Sequence, residues 1–122
     1  MGNETTGIDF GEALARFDGD EEIYLELIDA FLETHADGLA GFRRAMDNSR
    51  ADAPNAAHEA HQLKGAALTL GASELAERCA ELEALLRSGA PADIPLVESV
   101  VSAFERAVVD LRSFKERGGK PS

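Results

Sequence analysis

Apolar residues recur along this chain at spacings of three and four, and no segment alternates with period 2 over a useful length. The pattern predicts helices throughout. Ile8 to Phe17 reads as a short helix, with Asp9 as its N-cap and Phe10, Leu14 and Phe17 on one face. Asp18-Gly19-Asp20 is a turn, and Asp20 caps a long helix whose first turn carries Glu21 and Glu22 at the positive end of the dipole. Tyr24, Leu27, Ile28, Phe31, Leu39, Phe42 and Met46 form its apolar side, and Gly38 and Gly41 weaken it enough for a bend or a close helix contact. Residues 48–53 link it to a helix announced by Asp52 and Pro54, which ends near Leu70 with Gly71 as the stop. Ser73 is read as the cap of a helix to about Ser88, ended by Gly89. Pro91 to Pro95 marks the start of a last helix to about Arg117, with Val97, Val100, Val101, Phe104, Val108 and Leu111 inward. Short connections favour antiparallel neighbours. The expected fold is all-α: an antiparallel up-down four-helix bundle with a short additional N-terminal helix. Residues 1–7 and 118–122 read as flexible ends around a single domain over residues 8–117.

Composition narrows the function. A length of 122 residues suffices for one domain with a core of its own. The formal net charge of -11 argues against nucleic acid and anionic membrane surfaces, which want a basic face. No apolar run approaches the ~20 residues of a membrane span, and no signal peptide is visible. Cys79, the one cysteine, falls in line with Leu75, Leu82 and Leu86 and reads as a small buried hydrophobe. His35, between Phe31 and Leu39 at spacings of four, reads as a partly buried bundle residue, and His58 as an exposed one. The segment from Asp18 to Asp37 holds eight carboxylates and no Lys or Arg, which fits a solvated helix face or electrostatic steering of partners.

The chemistry concentrates in residues 60–71. Ala56, Ala60, Leu63, Ala67 and Leu70 form the buried stripe of their helix, and His61 lies about 200° around the helix from Leu63. The imidazole therefore points outward. Lys64 flanks it, and Gly65 and Leu68 follow on the same face. A mid-helix glycine costs ~1 kcal/mol relative to Ala, so Gly65 calls for a reason. An exposed imidazole beside a cation, with open space one turn on, suits delivery of an anionic group by another protein.

The motif His61-x-x-Lys64-Gly65, with Gly71 six residues on, resembles the phosphoacceptor motif of histidine-containing phosphotransfer (HPt) domains. The stretch Leu14 to Asp20 and the helix from Ser73 to Leu86 are also similar to that family, and the likeness extends over roughly residues 8–115. The resemblance implies that His61 carries a phosphoryl group through Nε2 between receiver-domain aspartates. Lys64 then offsets the phosphoryl charge, and Gly65 leaves room for it. Gln62, Leu68 and Thr69 border the docking surface. By the same likeness, Glu83 and Arg87 come from the next helix, Glu83 to orient the imidazole and Arg87 to hold the phosphoryl. The implied partners are receiver domains of response regulators or hybrid kinases. The Mg²⁺ belongs to the partner, and the chain needs no cofactor of its own. No phosphate loop or nucleotide-binding motif is present, so the chain is expected to be a carrier and not an enzyme acting on ATP. A cytoplasmic, bacterial, monomeric and freestanding protein is expected. Two rivals stand beside this reading: a helical adaptor whose histidine is incidental, and the substrate domain of a chemotaxis-type kinase. A zinc site at His58 and His61 lacks a third ligand by spacing, so no metal is expected.

Overall fold

The computed structural model describes residues 8–118, so the expected flexible residues 1–7 and 119–122 lie outside it. Six helices occur among the described residues: α1 (Phe10–Ala15), α2 (Glu21–Thr34), α3 (Ala40–Asp47), α4 (Ala53–Leu70), α5 (Ser73–Arg87) and α6 (Ile94–Glu116). There is no strand among them. The starts follow local chemistry. The carboxylates of Asp9, Asp20, Asp52 and Asp93 each accept from the backbone N–H three residues on, at 3.0, 3.2, 3.1 and 3.0 Å. Such caps contribute about 1 kcal/mol each.

Two expectations need correction. The long second helix is broken: α2 ends at Thr34, and α3 begins at Ala40. Between them Gly38 takes the left-handed conformation, φ 74°, and its N–H donates to the His35 carbonyl at 2.9 Å. Leu39, Phe42 and Met46 stay buried, so the apolar register crosses the break unchanged. Ser73 is not a cap but the first residue of α5; the cap position is Ala72, with no side-chain bond. The α4–α5 turn is too tight for another arrangement. Gly71 sits at φ 81°, and the Ala72 N–H donates back to the Ala67 carbonyl at 2.8 Å.

α4 packs on α5, α5 on α6, α6 on α2, and α2 and α3 on α4, which closes the four-helix bundle with α2 and α3 sharing one corner. The core combines aliphatic residues, among them Ile28, Leu63, Leu75, Leu82, Val100 and Leu111, with the fully buried rings of Tyr24 and Phe114. Cys79 is buried there, and burial pushes its thiol up to about 12. Val108, expected to face in, is half-buried.

The last turn of α4 is tied down from outside. The Tyr24 hydroxyl, buried, donates to the Leu70 carbonyl at 2.6 Å, and Arg16 Nη1 donates to the Leu68 carbonyl at 2.6 Å. These bonds fill acceptors that a helix end leaves without partners. α1 closes against this end: a Cβ added at Gly71 would stand 3.0 Å from the Ala13 Cβ. The helix carrying His61 is thereby fixed at the end nearest its exposed face.

Candidate functional site

His61 projects from the middle of α4 with its side chain 58% exposed. Its Nδ1 lies 3.0 Å from Glu83 Oε2. Glu83 comes from α5 and is buried, its side chain only 10% exposed. Two cations complete the cluster. Lys64 Nζ reaches Glu83 Oε1 at 2.8 Å, and Arg87 Nε reaches Oε2 at 2.9 Å. One carboxylate thus gathers an imidazole, an ammonium and a guanidinium.

The geometry assigns the proton on the ring. The hydrogen bond from Lys64 is the largest influence on Glu83. Burial works against it, and the bond from Arg87 adds to it. The balance lowers the carboxyl to about 2. Glu83 is therefore ionised at neutral pH and can only accept. The Nδ1–Glu83 bond then requires the proton on Nδ1, which leaves the lone pair on Nε2.

Helix register explains why these groups meet. His61 and Lys64 are three apart on α4, and Glu83 and Arg87 four apart on α5, so each pair shares a helix face. Glu83 lies four residues after buried Cys79 and three before buried Leu86, at the edge of the stripe that seats α5 in the core. An acid at that register is held between the helices, where only partnered ions are tolerated.

Gly65 leaves its side of the site bare: a Cβ built there would meet no atom within 4 Å. Leu68, two turns beyond His61, is 52% exposed. Gln62 and Thr69 lie on the other flank of α4, away from the Glu83 cluster. Gln62 borders a cleft of about 350 Å³ against α3. Thr69 borders a groove against α2, and its hydroxyl donates to the Gly65 carbonyl at 3.0 Å. Of the residues picked from sequence, His61, Lys64, Glu83 and Arg87 thus form one network; Leu68 follows on the His61 face, and Gln62 and Thr69 border two separate clefts on the other flank. Sequence reasoning did not reveal Arg16 and Tyr24 as supports of this helix. Their bonds span 52 and 46 residues, and no local pattern signals such contacts. Among the described residues no group of three His, Cys, Asp or Glu is placed to hold a metal ion.

An all-helical bundle that presents an exposed histidine anchored by a buried carboxylate on the adjacent helix defines the class of this molecule. The Hpt domain family model matches residues 26–114, and the chain belongs to that family. The match begins inside α2 and leaves α1 outside. Membership gives the chain a phosphotransfer-carrier role in two-component signalling, in a family of phosphocarriers without an ATP site of their own. Searches of curated proteins and of solved structures returned no significant match.

Proposed function

We propose that the chain is a phosphorelay carrier in which His61 accepts a phosphoryl group from one receiver aspartate and passes it to another. The observation that carries this reading is the 3.0 Å bond between His61 Nδ1 and ionised Glu83, made by a ring that is otherwise open to solvent.

In the accepting step the Nε2 lone pair attacks phosphorus. The N–P bond forms while the P–O bond to the receiver's carboxyl breaks, and the electron pair leaves with the carboxylate. The Nδ1 proton stays in place, so the ring becomes a phosphorylated imidazolium. Glu83 already faces that positive charge and needs no rearrangement to offset it. Lys64 and Arg87, both held on Glu83, place positive charge beside the incoming phosphoryl. Gly65 admits the partner's loops, and Leu68, Gln62 and Thr69 border its seat. Donation to the second receiver runs the same step in reverse. The receiver brings the Mg²⁺. This role places the chain in the cytoplasm, as a monomer between its partners; among the described residues no helix is long and apolar enough to cross a membrane.

The test is label transfer from a phosphorylated receiver domain. The wild-type chain takes up acid-labile label, and a folded His61→Gln variant takes up none. A variant with unchanged circular dichroism that still acquires the label would overturn the assignment.

A further inference from the structure

A cleft of about 350 Å³ opens where α2 gives way to α3. Buried Phe31, Leu39, Phe42 and Met46 keep one apolar register across the break, so core burial alone does not call for it. The break takes residues 35–39 out of the helix and leaves open space between α3 and the flank of α4. The floor of that space is apolar: Leu39, Phe42 and Leu63 are buried there, and Ala66 is half-buried. Its volume lies in the range of roughly 300–1,000 Å³ that small-molecule sites occupy.

The rim carries charge of both signs. Asp37 comes from the break, Glu59 from α4 and Arg44 from α3. Both carboxylates favour the proton on His35, which lines the same cleft, so they gather at its histidine end. The Arg44 guanidinium lies over Gly41, where a Cβ built on the glycine would stand 3.8 Å from its Nη2. Arg43, one residue earlier, takes Glu98 on α6 at 3.1 Å. Among the described residues no cation stands in ion-pair reach of Asp37 or Glu59, and no carboxylate in ion-pair reach of Arg44. Acid and base thus face one cleft, and neither neutralises the other.

We infer that this cleft binds a small amphoteric molecule, an amine bearing a carboxylate on a short aliphatic body, with its ammonium held by Asp37 and Glu59 and its carboxylate by Arg44. The aliphatic body covers the apolar floor, and the charge-assisted bonds at the rim are strengthened by the low polarity beneath them. Two acids against one base turn away a phosphate or a nucleotide. Among the described residues no group of three His, Cys, Asp or Glu is placed to hold a metal ion, so a bare cation lacks a ligand set here. The cleft reaches Gln62, the residue after His61, so a molecule seated in it ties the α2–α3 break to the helix that carries the imidazole. The inference stands on the cleft alone and does not depend on the phosphorelay reading.

The experiment is a titration of the full chain followed by amide NMR. The probes are the ω-amino acids from β-alanine to aminohexanoate and the proteinogenic amino acids. Alkylamines and alkylcarboxylates of matching length serve as one-charge controls. At least one amphoteric probe saturates, shifts the amides of Gly38, Gly41 and Gln62, and raises the melting temperature with its concentration. Glu59→Gln weakens its binding about tenfold, the loss expected when a charge-assisted bond is removed. Arg44→Gln weakens it to the level of the matching alkylamine, which Arg44→Gln leaves unchanged. Gly41→Phe fills the cleft from an exposed helical position and abolishes binding while the helical circular dichroism is retained. No saturable shift of these amides with any amphoteric probe overturns the inference. So does a response that persists in Gly41→Phe, which places the ligand elsewhere. Equal binding of alkylamines and amphoteric probes that salt abolishes also overturns it, because a chain of net charge -11 attracts any cation in that way.

Discussion

The helices α2 and α4 wall a shared groove, and the histidines they carry, His35 at the end of one and His61 on the outer face of the other, live in opposite surroundings. His61 stands on the unbroken helix α4, exposed, with one ring nitrogen fixed by a carboxylate. His35 closes α2 at the break before α3, half-buried, with its ring centroid 4.7 Å from that of Phe31 and 5.6 Å from that of Phe104. Burial lowers the pKa of His35, against the opposing pull of Asp37 and Glu59. The same side chain is thus offered as a nucleophile on one wall and packed as an aromatic on the other. What separates the roles is the neighbour: a partnered carboxylate that fixes the proton on one nitrogen, or two phenyl rings that exclude it.

The sharpest way to break this contrast is to remove the access that only His61 enjoys. Gly65→Leu places a side chain in empty space, so the fold keeps its stability and gains up to ~0.8 kcal/mol of helix propensity. Transfer from a receiver falls by about 100-fold or more, because docking geometry tolerates little displacement. Thermal melts and transfer rates measured together check both halves. A variant that transfers at the wild-type rate would show that Gly65 is not kept for access.

Glu83→Gln tests the anchor itself. A neutral amide loses the charge that offsets the phosphorylated imidazolium and slows transfer about 10- to 100-fold, as loss of an orienting partner does elsewhere. It also changes acid stability. The carboxyl is held at about 2 in the folded state, against an ordinary value of 4.5. The sign follows from proton uptake: between those values the unfolded chain binds the proton and the folded one does not. Stability from Glu83 is complete above about pH 4.5 and is lost as pH falls toward 2. Its size is of the order of 1–2 kcal/mol once the exposed Arg87 is discounted for solvent screening. Melting temperatures of the wild type therefore fall more steeply between pH 5 and 2.5 (roughly the span of the linkage) than those of Glu83→Gln.

The two walls also differ in how far they were legible in the sequence. α4 was readable at both ends because its punctuation is local: Asp52 accepts from Asn55 N–H three residues away, and Gly71 takes the left-handed turn. Its outward face followed from the stripe of Ala60, Leu63 and Ala67, all buried. The α2–α3 break was not readable, because Phe31, Leu39, Phe42 and Met46 keep helical spacing across it and hydrophobic periodicity does not register a local unwinding. Gly38 marked the place without deciding between a bend and a stop. At the site, Lys64 and Gly65 could be placed beside His61 by helix geometry alone. Glu83 and Arg87 needed a likeness to known domains, since no spacing rule spans the turn between two helices. That the imidazole and both cations share the one carboxylate depends on the distance between α4 and α5, which packing sets and sequence does not show.

The smallest expected effect concerns the other wall. With its pKa lowered, His35 is neutral in the folded chain at pH values where the unfolded chain already binds a proton there. Its contribution to stability is therefore present above the ordinary histidine value of about 6.5 and declines as pH falls below it. Burial resists the proton, while Asp37 and Glu59 favour it and offset part of the shift. The slope therefore stays below the one-proton limit of about 1.4 kcal/mol per pH unit. His35→Leu, which keeps an apolar contact with Phe31 and Phe104, removes this part of the decline between pH 7.5 and 5 (roughly the histidine range) and leaves transfer through His61 unchanged. Denaturant midpoints at several pH values, taken for both chains, read the difference directly. A wild type and variant with parallel pH profiles would mean that His35 titrates alike in both states, and the contrast between the two walls would then rest on access alone.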